Sequence, residues 1–251
     1  MIFYLTAPVL LVQGRRVRAT TPRLPEAGGP SAGSVPGTGR TLRVAVVGES
    51  TAAGVGAQLH SEALPGFLAA EVAARTGAPV AWTVDGRTGY TADAVRRDLL
   101  AGLAARPRPD AVVVAIGVND LLGARTLARF ERDVTALVSA IRAAAGAGVP
   151  VVVSGMPPLG RFPALPWPMR AILGRRARAM DGRLRRVAAR LPGVRHRTFE
   201  LPADTAAFFG ADGFHPGPDG YRRWAAEIAP DVAELTGAVA GGRNTDAADA
   251  V

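Results

Sequence analysis

The residue types needed for nucleophilic acyl transfer occur in this chain where loops must carry them. Ser50 follows the run Val44-Ala-Val-Val-Gly48, in the segment Gly48-Glu49-Ser50-Thr51. A short apolar run, mostly β-branched, leading into glycine reads as a strand buried on both faces, as in a parallel sheet. A serine beyond the carboxyl end of such a strand lies where ligands bind in open α/β sheets. A turn former or a helix N-cap satisfies the same spacing. A nucleophilic serine further needs a base within hydrogen-bond reach and a group that orients the base.

The chain has three histidines. His60 falls in a loop or helix start and reads as a surface residue. His196 stands between arginines inside an apparent strand and reads as structural. His215 lies in Ala211-Asp212-Gly213-Phe214-His215-Pro216. Pro216 biases His215 towards an extended backbone, and Gly213 permits a sharp turn. Asp212 and His215 can therefore face one site, with Asp212 fixing the imidazole tautomer; an Asx turn with an incidental histidine is the alternative. Acyl transfer also needs donors for the developing oxyanion. The Ser50 backbone N–H, the Gly89 backbone N–H and the Asn119 side-chain amide are the candidates. Each follows a different strand at its carboxyl end, so a parallel sheet brings all three to one edge.

The elements that must position these residues follow from apolar periodicity. Strands are expected at Val44–Gly48, Val80–Val84, Ala111–Ile116, Val149–Val153 and Val194–Phe199. Between them, Phe67, Leu68 and Val72 mark a helix ending at Gly77. Thr91 caps a helix on which Val95, Leu99 and Leu103 recur every four residues, broken by Pro107 and Pro109. Leu127, Phe130, Val134, Leu137 and Ile141 form a 3-4-3-4 stripe. Ser154–Pro168 is too proline-rich for regular structure. A basic helix follows over about Met169–Leu191, its arginines forming a solvated face, and Tyr221, Trp224 and Ile228 begin a last helix. Strands alternating with helices define the α/β class, a parallel sheet covered on both faces.

Composition sets further bounds. The chain has 251 residues, 48% of them hydrophobic and 6% aromatic, so its core rests on Val, Leu and Ala. With no cysteine, it has no disulfide, thiol nucleophile or Cys-ligated metal. The net charge is +9 and no lysine is present, a bias that makes charge a poor guide to partners; no nucleic-acid partner is expected. Residues 1–12 are apolar and Arg15, Arg16 and Arg18 follow. The run is too short to span a bilayer, and its charges come after the apolar stretch, unlike a secretory signal. It reads as a helix or arm packed on the domain, or as an interfacial anchor giving peripheral membrane contact through residues 1–18. The expected location is cytoplasmic, with membrane association as the variant. Thr21–Thr41 reads as a linker or wrapping arm. The expected organisation is an arm over 1–41, a domain over 42–236 and a disordered tail over 237–251.

Four blocks, Gly-Glu-Ser-Thr-Ala-Ala-Gly from Gly48, Asp-Gly-Arg-Thr-Gly-Tyr-Thr from Asp85, Gly-Val-Asn-Asp from Gly117 and Asp-Gly-Phe-His-Pro from Asp212, resemble in order and spacing those of the SGNH hydrolases, also called GDSL esterases and lipases. The resemblance covers about Leu42 to Leu235. It implies a three-layer αβα sandwich on a five-stranded parallel sheet, and hydrolysis of small ester or lipid substrates through an acyl-enzyme on Ser50. It implies a triad of Ser50, Asp212 and His215, an oxyanion hole of Ser50, Gly89 and Asn119, and no metal or organic cofactor. Gly86 is the less favoured oxyanion glycine, because Gly89-Tyr90-Thr91 matches the family's Gly-x-Thr step. Glu49 stands where the namesake motif has Asp, a departure bearing on loop packing. The arm before Leu42 and the insertion Pro157–Arg178 lie outside the core motifs.

Other readings fit less well. An α/β-hydrolase elbow is G-x-S-x-G, whereas Ala52 follows Thr51 here, and such a nucleophile follows several strands rather than one. Gly48, Gly54 and Gly56 at a strand-to-helix turn suggest a nucleotide-binding protein, but the spacing matches neither dinucleotide nor P-loop fingerprints. A catalytically inactive binding protein would be expected to lack some of the five site residues.

Overall fold

A computed structural model describes residues 2–237; the expected tail, beyond Gly237, lies outside the described residues. The chain opens with α1 (Ile2–Thr20) and a short strand, β1 (Ala32–Val35). Strand β2 (Leu42–Gly48) and helix α2 (Leu64–Thr76) follow. Next come β3 (Val80–Gly86), α3 (Ala92–Asp98) and α4 (Leu100–Ala104). Then β4 (Ala111–Ala115), α5 (Val118–Leu122), α6 (Leu127–Ala145) and β5 (Val151–Ser154) continue the alternation. Helix α7 (Met169–Arg190), β6 (Val194–Arg197) and α8 (Pro218–Leu235) complete it.

The sheet order is β1-β3-β2-β4-β5-β6. All pairs are parallel except β1 with β3. Helices α2 and α8 pack together as one layer, and α6 packs with α3, α4 and α7 as the other. With both faces covered, Val112, Val113 and Val114 of β4 and Val151, Val152 and Val153 of β5 are fully buried, which is why these strands are continuous apolar runs. On α6, Phe130, Val134, Leu137 and Ile141 are likewise fully buried, each contributing about 1.5–3 kcal/mol of transfer free energy.

The sheet has six strands rather than the five expected, a correction with a physical reason. The extra strand comes from the Pro/Gly/Ser-rich stretch and has no apolar alternation to betray it. Its small residues fit over an indole: a Cβ on Gly33 would come within 2.6 Å of the Trp82 ring. The helix expected after Thr91 is two helices, parted at Leu99 (φ −108°). Gly102 lies against the Asp85 carboxylate, where a Cβ would approach Oδ1 to 2.5 Å, and this contact seats the second piece. The proline-rich stretch begins with the last strand residue, Ser154, and holds one 3-10 turn, Leu159–Arg161.

Candidate active site

β2 runs through the sheet centre and ends at Gly48, and the chain turns sharply there. The Ala53 N–H donates to Glu49 O (3.0 Å) and the Val55 N–H to Ser50 O (3.0 Å). This turn holds Ser50 at the sheet's carboxyl edge with 8% of its surface exposed. The loop carrying His215 meets the turn at Gly56, whose φ is +100° and where a Cβ would lie 2.2 Å from Pro216 O. Only glycine allows that backbone approach. Tyr221, at the start of α8, donates its hydroxyl hydrogen to Val55 O at 2.7 Å and ties the helix to the same turn.

This packing brings Ser50, His215 and Asp212 together. His215 Nε2 lies 3.0 Å from Ser50 Oγ. His215 Nδ1 lies 2.6 Å from Asp212 Oδ2. Asp212 Oδ1 accepts the backbone N–H groups of Phe214 and His215, both at 2.9 Å, so the Asx turn and the Asp–His pair are one structure. The Asp212 side chain is 2% exposed. Burial alone would raise its pKa, but the hydrogen bonds from His215 and the two backbone N–H groups outweigh it and hold the carboxyl below its ordinary range.

The candidate oxyanion donors are placed differently from one another. Neither the Ser50 nor the Gly89 backbone N–H finds an acceptor among the described residues. Gly89 sits on an exposed turn with φ +83°. Gly86 instead packs against the serine turn, where a Cβ would meet Ala53 N at 2.4 Å, so its role is close approach. The Asn119 amide is engaged twice. Its Nδ2 donates to Glu49 Oε2 at 2.6 Å and to Tyr90 O at 3.2 Å.

Sequence reasoning tied Glu49 only to loop packing; its carboxylate joins the turn after β2 to the segment after β4. It accepts the Val118 N–H (2.9 Å), the Asn119 N–H (2.9 Å) and the Asn119 amide. Burial pushes its pKa up to about 7, against the pull of the Asn119 and Val118 N–H groups and with a further push from Asp120. Asp120, raised to about 6 chiefly by burial, accepts the Ala92 N–H at 2.9 Å and ties the start of α3 to α5. The only sequence signal for Glu49 was an acid beside the serine at a buried strand end.

The other histidines lie elsewhere. His196, in β6, has Nε2 2.8 Å from Asp181 Oδ1, a second Asp–His pair with no contact to Ser50 among the described hydrogen bonds. His60 was expected at the surface; it is half-buried in a 3-10 turn, with Nδ1 enclosed and unpartnered among the described residues. On the basic helix, Arg183 and Arg190 pair with Glu131, and Arg185 with Asp181, so part of its charge is neutralised against α6 and within α7 itself.

Two apolar spaces adjoin Ser50 and His215. One is a small pocket lined by Ser50, Ile116, Phe199, Phe209 and Trp224. The other is a long groove between α1 and α7 that reaches His215. Sequence reasoning found neither. The aromatics clustered between Phe199 and Phe214 were the available signal for the first; the second depends on where α1 docks.

Residues 46–223 match the model of the GDSL-like Lipase/Acylhydrolase family. Over 186 residues, 72% of this chain, the sequence is 28% identical to the GDSL-like esterase Rv1075c of Mycobacterium tuberculosis, and the match spans 58% of that protein's length. Among solved structures, TesA aligns with a TM-score of 0.60 at 22% identity, covering 77% of this chain and 99% of its own. The psychrotrophic esterase EstA of Pseudoalteromonas sp., inhibited by monoethylphosphonate, aligns at 0.58 and 18% identity, covering 78% and 98%. The lipase/acylhydrolase of Enterococcus faecalis gives 0.55 and 24%, covering 78% and 96%. These structural likenesses are likenesses of fold.

Proposed function

The chain belongs to the GDSL-like lipase/acylhydrolase family, and from that premise we propose that it hydrolyses carboxylic esters through an acyl-enzyme on Ser50. The observation that carries this reading is the unbroken line from Ser50 Oγ through the His215 imidazole to Asp212, at 3.0 and 2.6 Å. Ser50 Oγ attacks the ester carbonyl carbon while its proton passes to His215 Nε2. The carboxylate of Asp212 holds the Nδ1–H tautomer and stabilises the imidazolium. The Ser50 and Gly89 N–H groups and the Asn119 amide receive the oxyanion. The tetrahedral adduct collapses, the C–O bond to the alcohol breaks, and His215 returns the proton to the leaving oxygen. Water, deprotonated by the same imidazole, then releases the acid. The purified chain is expected to turn over p-nitrophenyl acetate; inertness towards all p-nitrophenyl esters and acyl thioesters contradicts the reading.

Removing one oxyanion donor typically lowers turnover about 10²–10³-fold. Asn119→Ala is expected to lower kcat by that amount with little change in KM, because the bond forms in the transition state. A turn residue alone would instead show a lowered Tm with near-normal kcat. Asn119→Asp is a poorer probe, since it would set a second carboxylate against Glu49, 2.6 Å from the present amide.

Peripheral contact with a lipid surface is part of the proposal. Val12 and Trp167 (73% exposed) stand out on the surface beside the exposed Arg15, Arg16 and Arg18. Gln13, between them, donates its side-chain N–H to Trp167 O at 2.7 Å. Among the described residues no helix is long and apolar enough to cross a membrane, so the contact is interfacial. The variant Val12→Asp/Trp167→Ala is expected to bind anionic vesicles at least about tenfold more weakly in sedimentation; equal binding contradicts the contact.

A further inference from the structure

We propose that the groove between α1 and α7 binds the alkyl chain of the substrate's alcohol part, while the small aromatic pocket beside Ser50 takes a short acyl group. This rests on the ester-hydrolase reading and adds to it the substrate class: short-acyl esters of long-chain alcohols.

The direction follows from proton transfer. His215 must give its proton to the leaving oxygen, so the alcohol departs on the imidazole side. Phe214 and His215 line both spaces; only the pocket also includes Ser50, Thr51 and Ile116, and only the groove includes Asp212, so the groove lies wholly on the imidazole side of the nucleophile. An ester carbonyl at Ser50 therefore points its acyl group into the pocket and its alcohol along the groove.

Size gives the same assignment. The pocket offers about 40 Å³, space for a few heavy atoms beside the Phe199 and Trp224 rings, and the groove about 840 Å³. The latter falls in the range of small-molecule sites, roughly 300–1,000 Å³. Chemistry completes the argument. Leu10 and Val17 on one wall and Leu165 and Leu173 on the other are apolar, and Arg15, Arg18 and Arg23 are exposed at the edge. Such walls reward each buried methylene by about three- to fourfold in affinity.

Gly14 supplies the test. It lies on the groove wall of α1, and a Cβ there would meet Met169 Cε at 3.6 Å, an ordinary contact. Gly14→Phe therefore fills the groove, at a helix position where Phe is no worse than Gly. Leu173→Gln alters the opposite wall and serves if the first variant fails to fold. The experiment measures kcat/KM for the full chain on two series: ethyl, butyl and octyl acetates, and ethyl acetate, butanoate and octanoate, all below their solubility limits. From ethyl to octyl acetate kcat/KM is expected to rise at least about thirtyfold, a fraction of the full per-methylene gain. From butanoate to octanoate it is expected to fall at least about tenfold, since the pocket's small volume leaves a longer acyl chain no room without displacing its aromatic walls. Either variant should cut the octyl-to-ethyl ratio at least about tenfold. A rise along the acyl series instead, no dependence on either chain, or a ratio that both variants leave intact overturns the assignment of the groove. Wild-type protein inert towards every ester in both series overturns the groove assignment; if p-nitrophenyl esters and acyl thioesters are also left intact, the hydrolase reading falls with it.

Discussion

Ser50→Ala is expected to leave a folded protein whose ester hydrolysis has fallen by about 10⁶-fold, because members of a catalytic triad act as a unit. The fold should survive. Among the described residues the only side-chain partner of the Ser50 hydroxyl is His215, and the turn that carries it is held by backbone bonds from Ala53 and Val55. The residual rate then reflects binding and the oxyanion donors alone. Tm and far-UV circular dichroism unchanged, with turnover at the level of the oxyanion site, is the expected result. Retention of a tenth of wild-type turnover in a pure sample contradicts the assignment of the nucleophile.

Asp212→Asn is expected to cost about 10⁴ in kcat with the backbone in place. The reason lies in how Asp212 divides its oxygens. Oδ1 accepts two backbone N–H groups and Oδ2 faces His215 Nδ1. An asparagine has one oxygen and one NH₂. If the oxygen keeps the two backbone donors, the NH₂ faces Nδ1 and forces the proton onto Nε2. The imidazole then presents a donor to Ser50 and has no lone pair with which to accept its proton. Steady-state kinetics on a soluble ester checks the loss, and nitrogen chemical shifts of the His215 ring check the tautomer. Turnover within tenfold of wild type would contradict an orienting role for Asp212.

The convergence of these residues was legible because it depends on local features. A buried strand ending in glycine announces a loop at the carboxyl edge, and the spacing of Asp212, Gly213, His215 and Pro216 describes a turn that closes on itself. The alternation of β-branched runs with the α6 stripe was equally plain. What escaped depends on partners distant in sequence. Strand β1 has no apolar pattern, since its pairing rests on small residues lying over Trp82. Glu49 reads as a lone acid until β4 brings the Val118 and Asn119 donors to it across 69 and 70 residues. That same bond changes the reading of Asn119, whose amide is already held rather than free. The groove is invisible in sequence because one wall is α1 and the other runs from Leu165 into α7, joined through Gln13, whose side chain accepts the Met169 N–H and donates to Trp167 O.

The proposal that Ser50 is an activated nucleophile is tested most directly by covalent capture. A fluorophosphonate reacts with a serine only where a base and oxyanion donors assist it. Intact-mass analysis of the wild-type chain is expected to show one adduct, peptide mapping is expected to place it on Ser50, and His215→Gln should prevent it. An unlabelled wild-type protein, or an adduct on any other residue, would contradict the account.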